Sequence, residues 1–335
     1  MTGRREKGMS KTILEVRGLK QFFPLKKRGE HREKLFVKAV NDISFSIFEG
    51  ETFGIVGESG CGKSTLGRTM IKLLEPTEGH IFFDGKDITD LTVKQMRPFR
   101  KDIQIMFQDP YASLDPRMTV GDIIAEPMDI QKLYKDPKKR LARIVELMEI
   151  CGLNKEYITR YPHEFSGGQR QRIGIARALS VQPKLIICDE PVSALDVSIQ
   201  SQIINLLMEL KKKFGLSLVF ISHDLSVVRH LADRVMVMYL GKAVEIAQKE
   251  ELFSNPVHPY TKALLSSIPV IGENTFEKME LLEGDLPSPV NPPSGCPFHT
   301  RCPKACAACA KQVPELTELG DGHLVSCLLA GKENK

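Results

Sequence analysis

The sequence predicts an α/β protein: a parallel-sheet core interrupted by a helical subdomain, with an antiparallel β subdomain and a small Cys-rich C-terminal appendage. Short apolar strands alternate with helical patterns on both sides of residues 119–160, a stretch with a helical pattern throughout. This alternation is typical of a parallel sheet. A β-rich segment at 36–48 and a hairpin turn at Asp84-Gly85 indicate the antiparallel part. Past residue 268, frequent prolines interrupt regular structure, and five of the eight cysteines lie there.

Length and composition favour one large domain with additions. The chain has 335 residues, 42% of them hydrophobic and 27% charged, which is a globular composition above the size at which one core usually stops growing. We expect a main domain at 1–268, with its helical subdomain at about 109–165, and the appendage at 269–335. No apolar run approaches the ~20 residues of a membrane span, and the start lacks the apolar core of a signal peptide. We therefore expect a cytoplasmic protein that reaches a membrane only through partners.

Local patterns predict the elements in order. The apolar strand 52–56 follows the β-rich segment and runs into a glycine-rich loop, and a helix at 64–74 stops before Pro76. In the insert, Val120, Ile123 and Ile124 begin a series at helical spacing. The other predicted elements are strands at 81–83, 103–107, 185–189 and 218–222, a helix ending at Leu179, and a helix at 199–213.

Residues 57–65 fit the phosphate-binding pattern G-x-x-x-x-G-K-[ST], with a strand before them and a helix after them. Glycines let the backbone curl so that successive N–H groups and the helix N-terminus point at phosphate. Lys63 can reach the β- and γ-phosphates, Ser64 can hold Mg²⁺, and Thr65 can reach the α-phosphate. A glycine-rich turn without function is the alternative, and the full match argues against it. The predicted nucleotide-binding residues are Gly57, Glu58, Ser59, Gly60, Cys61, Gly62, Lys63, Ser64 and Thr65.

The apolar strand at 185–189 ends in two adjacent carboxylates, Asp189 and Glu190. There Asp189 would bind Mg²⁺ through water, and Glu190 is placed to accept a proton from the attacking water or to orient it. An Asp-Glu pair at a strand end is also common at protein surfaces. Together with the phosphate-binding loop, the catalytic interpretation is favoured.

Ser166, two glycines and Gln169 open a helix that is rich in Arg and Ala. Ser at the N-cap with Gln three residues later is a capping box, which explains only those two residues. Glycine costs about 1 kcal/mol relative to Ala in a helix, and a cap does not require it. Because bare backbone at a helix N-terminus lets an anion approach closely, we interpret Ser166, Gly168 and Gln169 as nucleotide-binding.

These motifs together resemble the ABC family of ATPases. Segment 165–169 is similar to the family signature, 189–190 to its Walker B motif and 193–196 to its D-loop, in the usual order. The resemblance implies a P-loop (RecA-like) core with a helical ABC subdomain. It also implies that two ATPase chains sandwich ATP head to tail, so that Ser166, Gly168 and Gln169 clasp the partner's nucleotide.

The same resemblance gives roles to three single residues. Gln108 matches the Q-loop, which links Mg²⁺ and the water to the helical insert, and His223 matches the H-loop near the γ-phosphate. An ordinary buried histidine is the alternative for His223. Phe23, with Phe22 as a close competitor, is the aromatic residue that stacks on adenine. The implied catalytic residues are Glu190, His223 and Gln108, and the implied Mg²⁺ ligands are Ser64 and Gln108.

Three longer segments, 107–120, 161–172 and 255–260, resemble the F-type ATPase subunit of oligopeptide/dipeptide importers. This subgroup implies ATP and Mg²⁺ as cofactors and a heterodimer with a related D-type ATPase at the cytoplasmic face of the membrane. Two membrane permeases and an external peptide-binding protein complete the implied assembly. Nickel and some sugar importers use similar subunits and remain alternatives for the cargo.

Two other classes of protein, soluble ABC ATPases and non-hydrolysing regulators, are alternatives to a transport subunit. A soluble ABC ATPase of chromosome maintenance would separate the Walker motifs by a long coiled coil, and translation factors usually carry two such domains. A non-hydrolysing regulator would lack Glu190 or His223, and both are present.

Residues 1–38 hold twelve Lys/Arg against four Asp/Glu, which indicates a solvated loop or a surface that attracts anionic lipid or an acidic partner. Nucleic-acid binding is disfavoured because no recognition helix or aromatic platform accompanies the charge.

The C-terminal cysteines suggest a metal centre. Cys296, Cys302, Cys309 and Cys327 lie in a Pro-rich segment, with Cys306 as an extra thiol. Disulfides are rare in the reducing cytoplasm, and zinc usually prefers tighter C-x₂₋₄-C pairs. All-Cys ligation at wide spacing suits a [4Fe–4S] cluster, which subunits of the resembling subgroup can carry here. Zinc and unligated thiols are the alternatives.

Cys61, in the phosphate-binding loop, is either an oxidation sensor or a small residue that fits there.

Overall fold

The computed structural model describes residues 11–25, 35–109, 111, 113–268 and 284–330. Its strands are β1 (Thr12–Pro24), β2 (Phe36–Phe48), β3 (Thr52–Val56), β4 (Glu78–Phe83), β5 (Lys86–Asp87), β6 (Ile103–Met106), β7 (Leu185–Asp189), β8 (Ser217–Ser222), β9 (Arg234–Tyr239), β10 (Lys242–Gln248), β11 (Thr317–Gly320) and β12 (His323–Val325). Its helices are α1 (Lys63–Met70), α2 (Val93–Met96), α3 (Val120–Ile130), α4 (Pro137–Ile150), α5 (Gly167–Leu179), α6 (Val197–Phe214), α7 (Leu225–Leu231), α8 (Lys249–Ser254) and α9 (Pro259–Ser266). Short 3-10 helices lie at Phe99–Lys101, Lys155–Thr159 and Pro162–Glu164. Within these ranges, no helix is both long and apolar enough to cross a membrane.

The described chain forms two compact units. The described residues of the first unit lie within 1–17, 44–51 and 80–218. This unit contains β5 and parts of β1, β2 and β4, which are neighbours in the order β2-β1-β4-β5. It also contains a parallel pair in which β6 lies beside β7. Helix α5 packs against α3, α4 and α6, and the buried side chains of Ile144, Leu147 and Met148 on α4 follow the helical repeat. The helical pattern predicted for 119–160 is thus confirmed as α3, α4 and a 3-10 turn.

The described residues of the second unit lie within 18–43, 52–79 and 219–335. Its strands follow the order β11-β12-β10-β9-β3-β8. Strands β3 and β9 are parallel, whereas β10 is antiparallel to both β9 and β12. Strand β3 is buried along its whole length, as expected of a strand covered on both faces. The α/β prediction is confirmed by these parallel pairs and by the helices that follow their strands.

Several predicted boundaries agree with the structure, and those of two helices differ. Strands β2, β3 and β7 have the predicted ends. Helix α1 was expected to reach Leu74 but ends at Met70, because Lys72 takes a left-handed backbone conformation at φ 57°. Helix α6 runs further than predicted at both ends. Asp196 caps its first turn through Ile199 N at 3.0 Å, and Gly215 closes its last turn at φ 65°.

The C-terminal appendage has more regular structure than its prolines suggested. Strands β11 and β12 form an antiparallel pair, and β12 continues onto β10 through the register Glu245↔Val325. Strands of four and three residues are too short to show a period, so sequence pattern could not find them. Phe298 is buried at 1% exposure against Tyr239 and Tyr260.

Some predicted features lie outside the described residues. The basic segment at 1–38 is one of them in large part, since residues 1–10 and 26–34, including Lys26-Lys27-Arg28, are not described. Pro110 and Ala112 of the segment at 107–120 are also outside, as are residues 269–283 and 331–335.

Candidate nucleotide-binding and catalytic site

The phosphate-binding loop joins the buried strand β3 to helix α1. Lys63, the first residue of α1, is 4% exposed, and its Nζ donates to the backbone oxygens of Gly57 at 2.8 Å and Glu58 at 3.0 Å. Gly62 is the N-cap residue and has no side chain to cap the helix. The helix N-terminus therefore offers backbone N–H groups beside the Lys63 ammonium, an arrangement that attracts phosphate. Ser64 and Thr65 follow in the first turn, both half-buried.

Two of the loop glycines are required by both backbone angle and space. Gly57 has φ 152° and Gly62 has φ 105°. A Cβ at Gly57 would overlap the backbone oxygen of Met238, and one at Gly62 would overlap that of Ala39. Because glycine has no Cβ, these two positions let the loop turn tightly and pass close to neighbouring backbone.

Cys61 does not have the surroundings of an oxidation sensor. Its side chain is 1% exposed, and burial raises the pKa of its thiol despite the nearby Lys63. A reactive cysteine needs access and a stabilised thiolate, so the sensor interpretation is not supported. Cys61 instead acts as a small buried residue, and its backbone oxygen accepts the N–H of Gly241 at 2.9 Å.

Two residues outside the motif also contact the loop. The hydroxyl of Tyr260 accepts the backbone N–H of Glu58 at 2.9 Å, and the guanidinium of Arg301 contacts both carboxylate oxygens of Glu58 at 2.9 and 3.2 Å. Sequence reasoning did not identify either residue as functional. Tyr260 lies in the segment 255–260, whose likeness to peptide importers was its only signal, and Arg301 precedes Cys302 in the Cys-rich appendage.

The acidic end of β7 holds the predicted catalytic pair. Asp189 is buried at 1% exposure, and Glu190 has a left-handed backbone at φ 47°. A non-glycine residue in this region is uncommon and costs of order 1 kcal/mol or more, and such strain concentrates at functional sites. Gln108, two residues past β6, donates from Nε2 to Oε2 of Glu190 at 3.0 Å. The structure thus brings Gln108 and Glu190 into contact, which two residues that act on the same water molecule need.

The signature segment forms the predicted capping box. Ser166 N donates to Oε1 of Gln169 at 3.1 Å, and Gln169 N donates to Oγ of Ser166 at 3.4 Å. Ser166 is exposed. Gly168 also has a packing role that the sequence did not indicate, because a Cβ there would lie 2.5 Å from Cγ2 of Ile199 on α6.

His223 and the aromatic candidates lie in the second unit. His223 is exposed between β8 and α7, so the alternative of a buried histidine is wrong. Its neighbour Asp224 caps α7 through Ser226 N at 2.8 Å, which fixes the turn that carries His223. Phe22 and Phe23 are both half-buried on β1, and their burial does not choose between them.

The C-terminal cysteines are electrostatic neighbours. Burial raises the pKa of Cys296 to about 11, and charges on Cys309, Cys327 and Cys302 add to the rise. Cys306 Sγ lies 3.4 Å from Cys309 Sγ. Among the residues that the structure describes, no group of three or more His, Cys, Asp or Glu side chains is arranged to hold a single metal ion.

Comparisons with known proteins agree with the motifs. The ABC transporter family matches residues 40–193, and the oligopeptide/dipeptide transporter C-terminal region matches residues 244–309. The chain is 57% identical over 321 residues to the oligopeptide transport ATP-binding protein AppF of Bacillus subtilis, covering 95% of this chain and 97% of that protein. It is 53% identical to the oligopeptide transport ATP-binding protein OppF of Escherichia coli, covering 95% and 96%.

A solved structure supports the fold. The dimeric ATP-binding cassette MJ0796, in a post-hydrolysis state bound to ADP and Pi, aligns with a TM-score of 0.63 at 28% identity, covering 71% of this chain and 99% of that one. The predicted P-loop α/β fold is therefore confirmed. Together with a family match that spans the phosphate-binding loop and the acidic strand end, these similarities show that the chain belongs to the ATP-binding subunits of ABC transporters, in the branch with the oligopeptide/dipeptide transporter C-terminal region.

Proposed function

We propose that this chain is the ATP-hydrolysing subunit that powers import of di- and oligopeptides through a pair of membrane permeases. The observation that carries the proposal is the phosphate-binding loop, in which Lys63 Nζ is folded over two loop carbonyls at the N-terminus of α1. The cargo rests on the C-terminal region at 244–309 and on relatives named for oligopeptide transport. Nickel and sugar are the alternative cargoes for the same motor.

Nucleotide binding is assigned to the residues of the sequence motifs. Residues 57–62 and Lys63 hold the β- and γ-phosphates, and Thr65 reaches the α-phosphate. Ser64 and Gln108 would hold Mg²⁺, and Asp189 would hold it through water, because all three offer the oxygen ligands that Mg²⁺ prefers. When bound, the ion would neutralise charge on the transferred phosphoryl group. Phe23 stacks on adenine.

Catalysis is assigned to Glu190, Gln108 and His223. Glu190 accepts a proton from the attacking water, and the bond from Gln108 Nε2 at 3.0 Å orients its carboxylate. His223, exposed at the end of β8, contacts the γ-phosphate and the water. Since phosphoryl transfer depends on positioning and charge neutralisation, these three groups act by holding the water and the phosphate in line.

The assembly is a heterodimer with a related D-type ATPase. Ser166, Gly168 and Gln169 clasp the nucleotide of the partner, and the exposure of Ser166 supports this role. The similar cassette MJ0796 is dimeric. With two permeases and an external peptide-binding protein, the dimer lies at the cytoplasmic face of the membrane. The ATPase domain spans 1–268, with the helical subdomain at about 109–165, and the appendage spans 269–335.

For the appendage we propose a [4Fe–4S] cluster held by Cys296, Cys302, Cys309 and Cys327. The support is the electrostatic proximity of these thiols and their place in a segment that resembles cluster-carrying subunits; metal binding would require them to lose their protons. Such a cluster would cross-link a segment that is poor in regular structure. Iron and acid-labile sulfide should copurify with the chain under anaerobic conditions. C327S should lose the iron and C306S should keep it, and protein that contains zinc or no metal would contradict the assignment.

The function is tested in the assembled transporter in proteoliposomes. E190Q should slow MgATP hydrolysis at least about a hundredfold, since a positioned base contributes about 10²–10⁴-fold, and should leave MgATP binding intact. The matched control is E209Q, which changes an exposed carboxylate on α6 and should keep the wild-type rate. Hydrolysis at the wild-type rate in E190Q would show that Glu190 is not the base. Stimulation of the ATPase by nickel or a sugar, and not by peptides, would overturn the cargo.

A further inference from the structure

The ion pair between Arg301 and Glu58 joins the C-terminal appendage to the phosphate-binding loop. Two parallel contacts, Nη1 to Oε2 at 2.9 Å and Nη2 to Oε1 at 3.2 Å, make it a two-point pair. The Arg301 side chain is 8% exposed and that of Glu58 is 26% exposed. Pairs with this geometry and limited solvent access hold both partners more firmly than exposed ion pairs do.

Glu58 is fixed on three sides. Its carboxylate binds Arg301, its backbone N–H donates to Tyr260 Oη at 2.9 Å, and its backbone oxygen accepts from Lys63 Nζ at 3.0 Å. Lys63 is the residue to which phosphate binding is assigned. Any shift of Glu58 would therefore move a hydrogen-bond partner of the Lys63 ammonium.

Arg301 is held in place by its own surroundings. Its backbone N–H donates to Phe298 O at 3.0 Å, and its Cζ lies 5.9 Å from the centroid of the Tyr239 ring. Phe298 packs against Tyr239 and Tyr260, with ring centroids 5.2 and 5.3 Å apart. Burial lowers the pKa of the Arg301 guanidinium, but the Glu58 carboxylate reverses this and raises it above its ordinary value. Arg301 is thus a permanent cation on a packed support.

The negative charge of Glu58 would weaken nucleotide binding if Arg301 did not offset it. A carboxylate at the second position of a phosphate-binding loop repels the anionic phosphates of a nucleotide. A fixed guanidinium in contact with both carboxylate oxygens offsets that charge. The loop can then present Lys63 and the N-terminus of α1 without a competing anion nearby.

We propose that Arg301 is a positioning residue for nucleotide binding, through which the C-terminal appendage sets the affinity of the phosphate-binding loop for MgATP. The proposal rests on the assignment of residues 57–65 to nucleotide binding. Arg301 itself acts through Glu58 and needs no contact with the nucleotide.

The test is the dissociation constant of MgATP for the purified full-length chain, measured by calorimetry. R301Q keeps much of the side-chain packing but removes the charge, and it should raise Kd about tenfold, which corresponds to about 1.4 kcal/mol. Because E58Q removes the repelling carboxylate, the double variant E58Q/R301Q should bind MgATP several-fold more tightly than R301Q does. The R301Q defect should also shrink at high ionic strength, where charge repulsion is screened.

The matched control is Arg143 on α4, a similarly buried arginine at 10% exposure that pairs with Glu146 at 2.8 Å. R143Q should lower thermal stability and leave the Kd for MgATP unchanged. An unchanged Kd in R301Q would overturn the proposal, and so would a double variant that binds as poorly as R301Q, since both mean that Arg301 only supports the fold. K63A tests the site itself: if K63A binds MgATP as wild type does, the assignment of residues 57–65 fails, whatever R301Q shows.

Discussion

Glu245 is a buried carboxylate that organises the segment before α9. It is 0% exposed and accepts hydrogen bonds from Val257 N at 2.8 Å, His258 N at 3.0 Å and His323 Nε2 at 2.7 Å. His258 stays neutral, because burial lowers its pKa to about 4 and its Nδ1 accepts the N–H of Tyr260. The hydrogen bond to Glu245 instead raises the pKa of His323. His323 therefore supplies the positive charge that a buried carboxylate needs.

We predict that His323 stabilises the fold in a pH-dependent way. Its pKa in the folded chain is raised above the unfolded value of about 6.5, so its contribution is fully present below pH ~6.5. The contribution is lost as pH rises through the folded pKa. H323Q should lower the free energy of unfolding by about 1.5–3 kcal/mol at pH 6, the range for hydrogen bonds to charged groups, and by less at pH 9. Urea unfolding at the two pH values measures this.

The neighbouring carboxylate provides the comparison. Glu251 lies 3.8 Å from Nδ1 of His323 and its side chain is 48% exposed, so solvent weakens its attraction. E251Q should therefore cost less stability than H323Q. If H323Q costs the same at pH 6 and pH 9, the pair carries no pH-dependent stability.

At the scale of elements, the contact between α5 and α6 explains a glycine that helix formation alone would not select. Alanine is favoured over glycine by about 1 kcal/mol in a helix, yet a Cβ at Gly168 would lie 2.5 Å from Cγ2 of Ile199. We predict that G168A lowers the free energy of unfolding by about 1–3 kcal/mol, the usual cost of overpacking. I199A, which removes the facing methyl, should reduce that cost in a double-mutant cycle.

The same helix contains the control. Gly174 on α5 has open space where a Cβ would be, so G174A should stabilise the chain by about 0.5–1 kcal/mol through helix propensity alone. G168A and G174A should thus have opposite signs in chemical unfolding. A stabilising G168A would mean that only nucleotide access, and not packing, requires glycine at that position.

Elements with a strong local pattern could be predicted, and weakly patterned ones could not. The apolar strands β3 and β7 end where composition changes, and Ser166 with Gln169 marks the start of α5 through a capping box. The end of α1 was missed because the left-handed turn at Lys72 has no marker such as glycine. Strands β11 and β12 were missed because tertiary pairing with β10, rather than propensity, defines them.

Across the whole molecule, contacts between residues far apart in the chain could not be predicted from the sequence. The phosphate-binding loop and the Asp189-Glu190 pair are each a continuous stretch of sequence, so the chemistry of each could be predicted from residue spacing. Arg301 and Tyr260 contact Glu58 from 243 and 202 residues away, and no periodic pattern relates such positions. Only the fold brings Tyr260 on α9 and Arg301 in the appendage into contact with the loop.

The proposed clasp of the partner's nucleotide predicts a variant that separates binding from assembly. S166R places bulk and charge at an exposed helix N-terminus, and loss of the cap should cost about 1 kcal/mol of stability. Because the chain's own nucleotide is assigned to residues 57–65, the isolated S166R chain should bind MgATP as wild type does. With the D-type subunit, it should fail to form the ATP-dependent dimer in size-exclusion chromatography and should hydrolyse ATP at least about tenfold more slowly, since a charge-stabilising contact is lost. The control is S201R, a substitution of another exposed serine on α6, and it should dimerise normally. Weakened MgATP binding by the isolated S166R chain would mean that Ser166 acts on the chain's own nucleotide. The proposal that two chains share each nucleotide site would then fail.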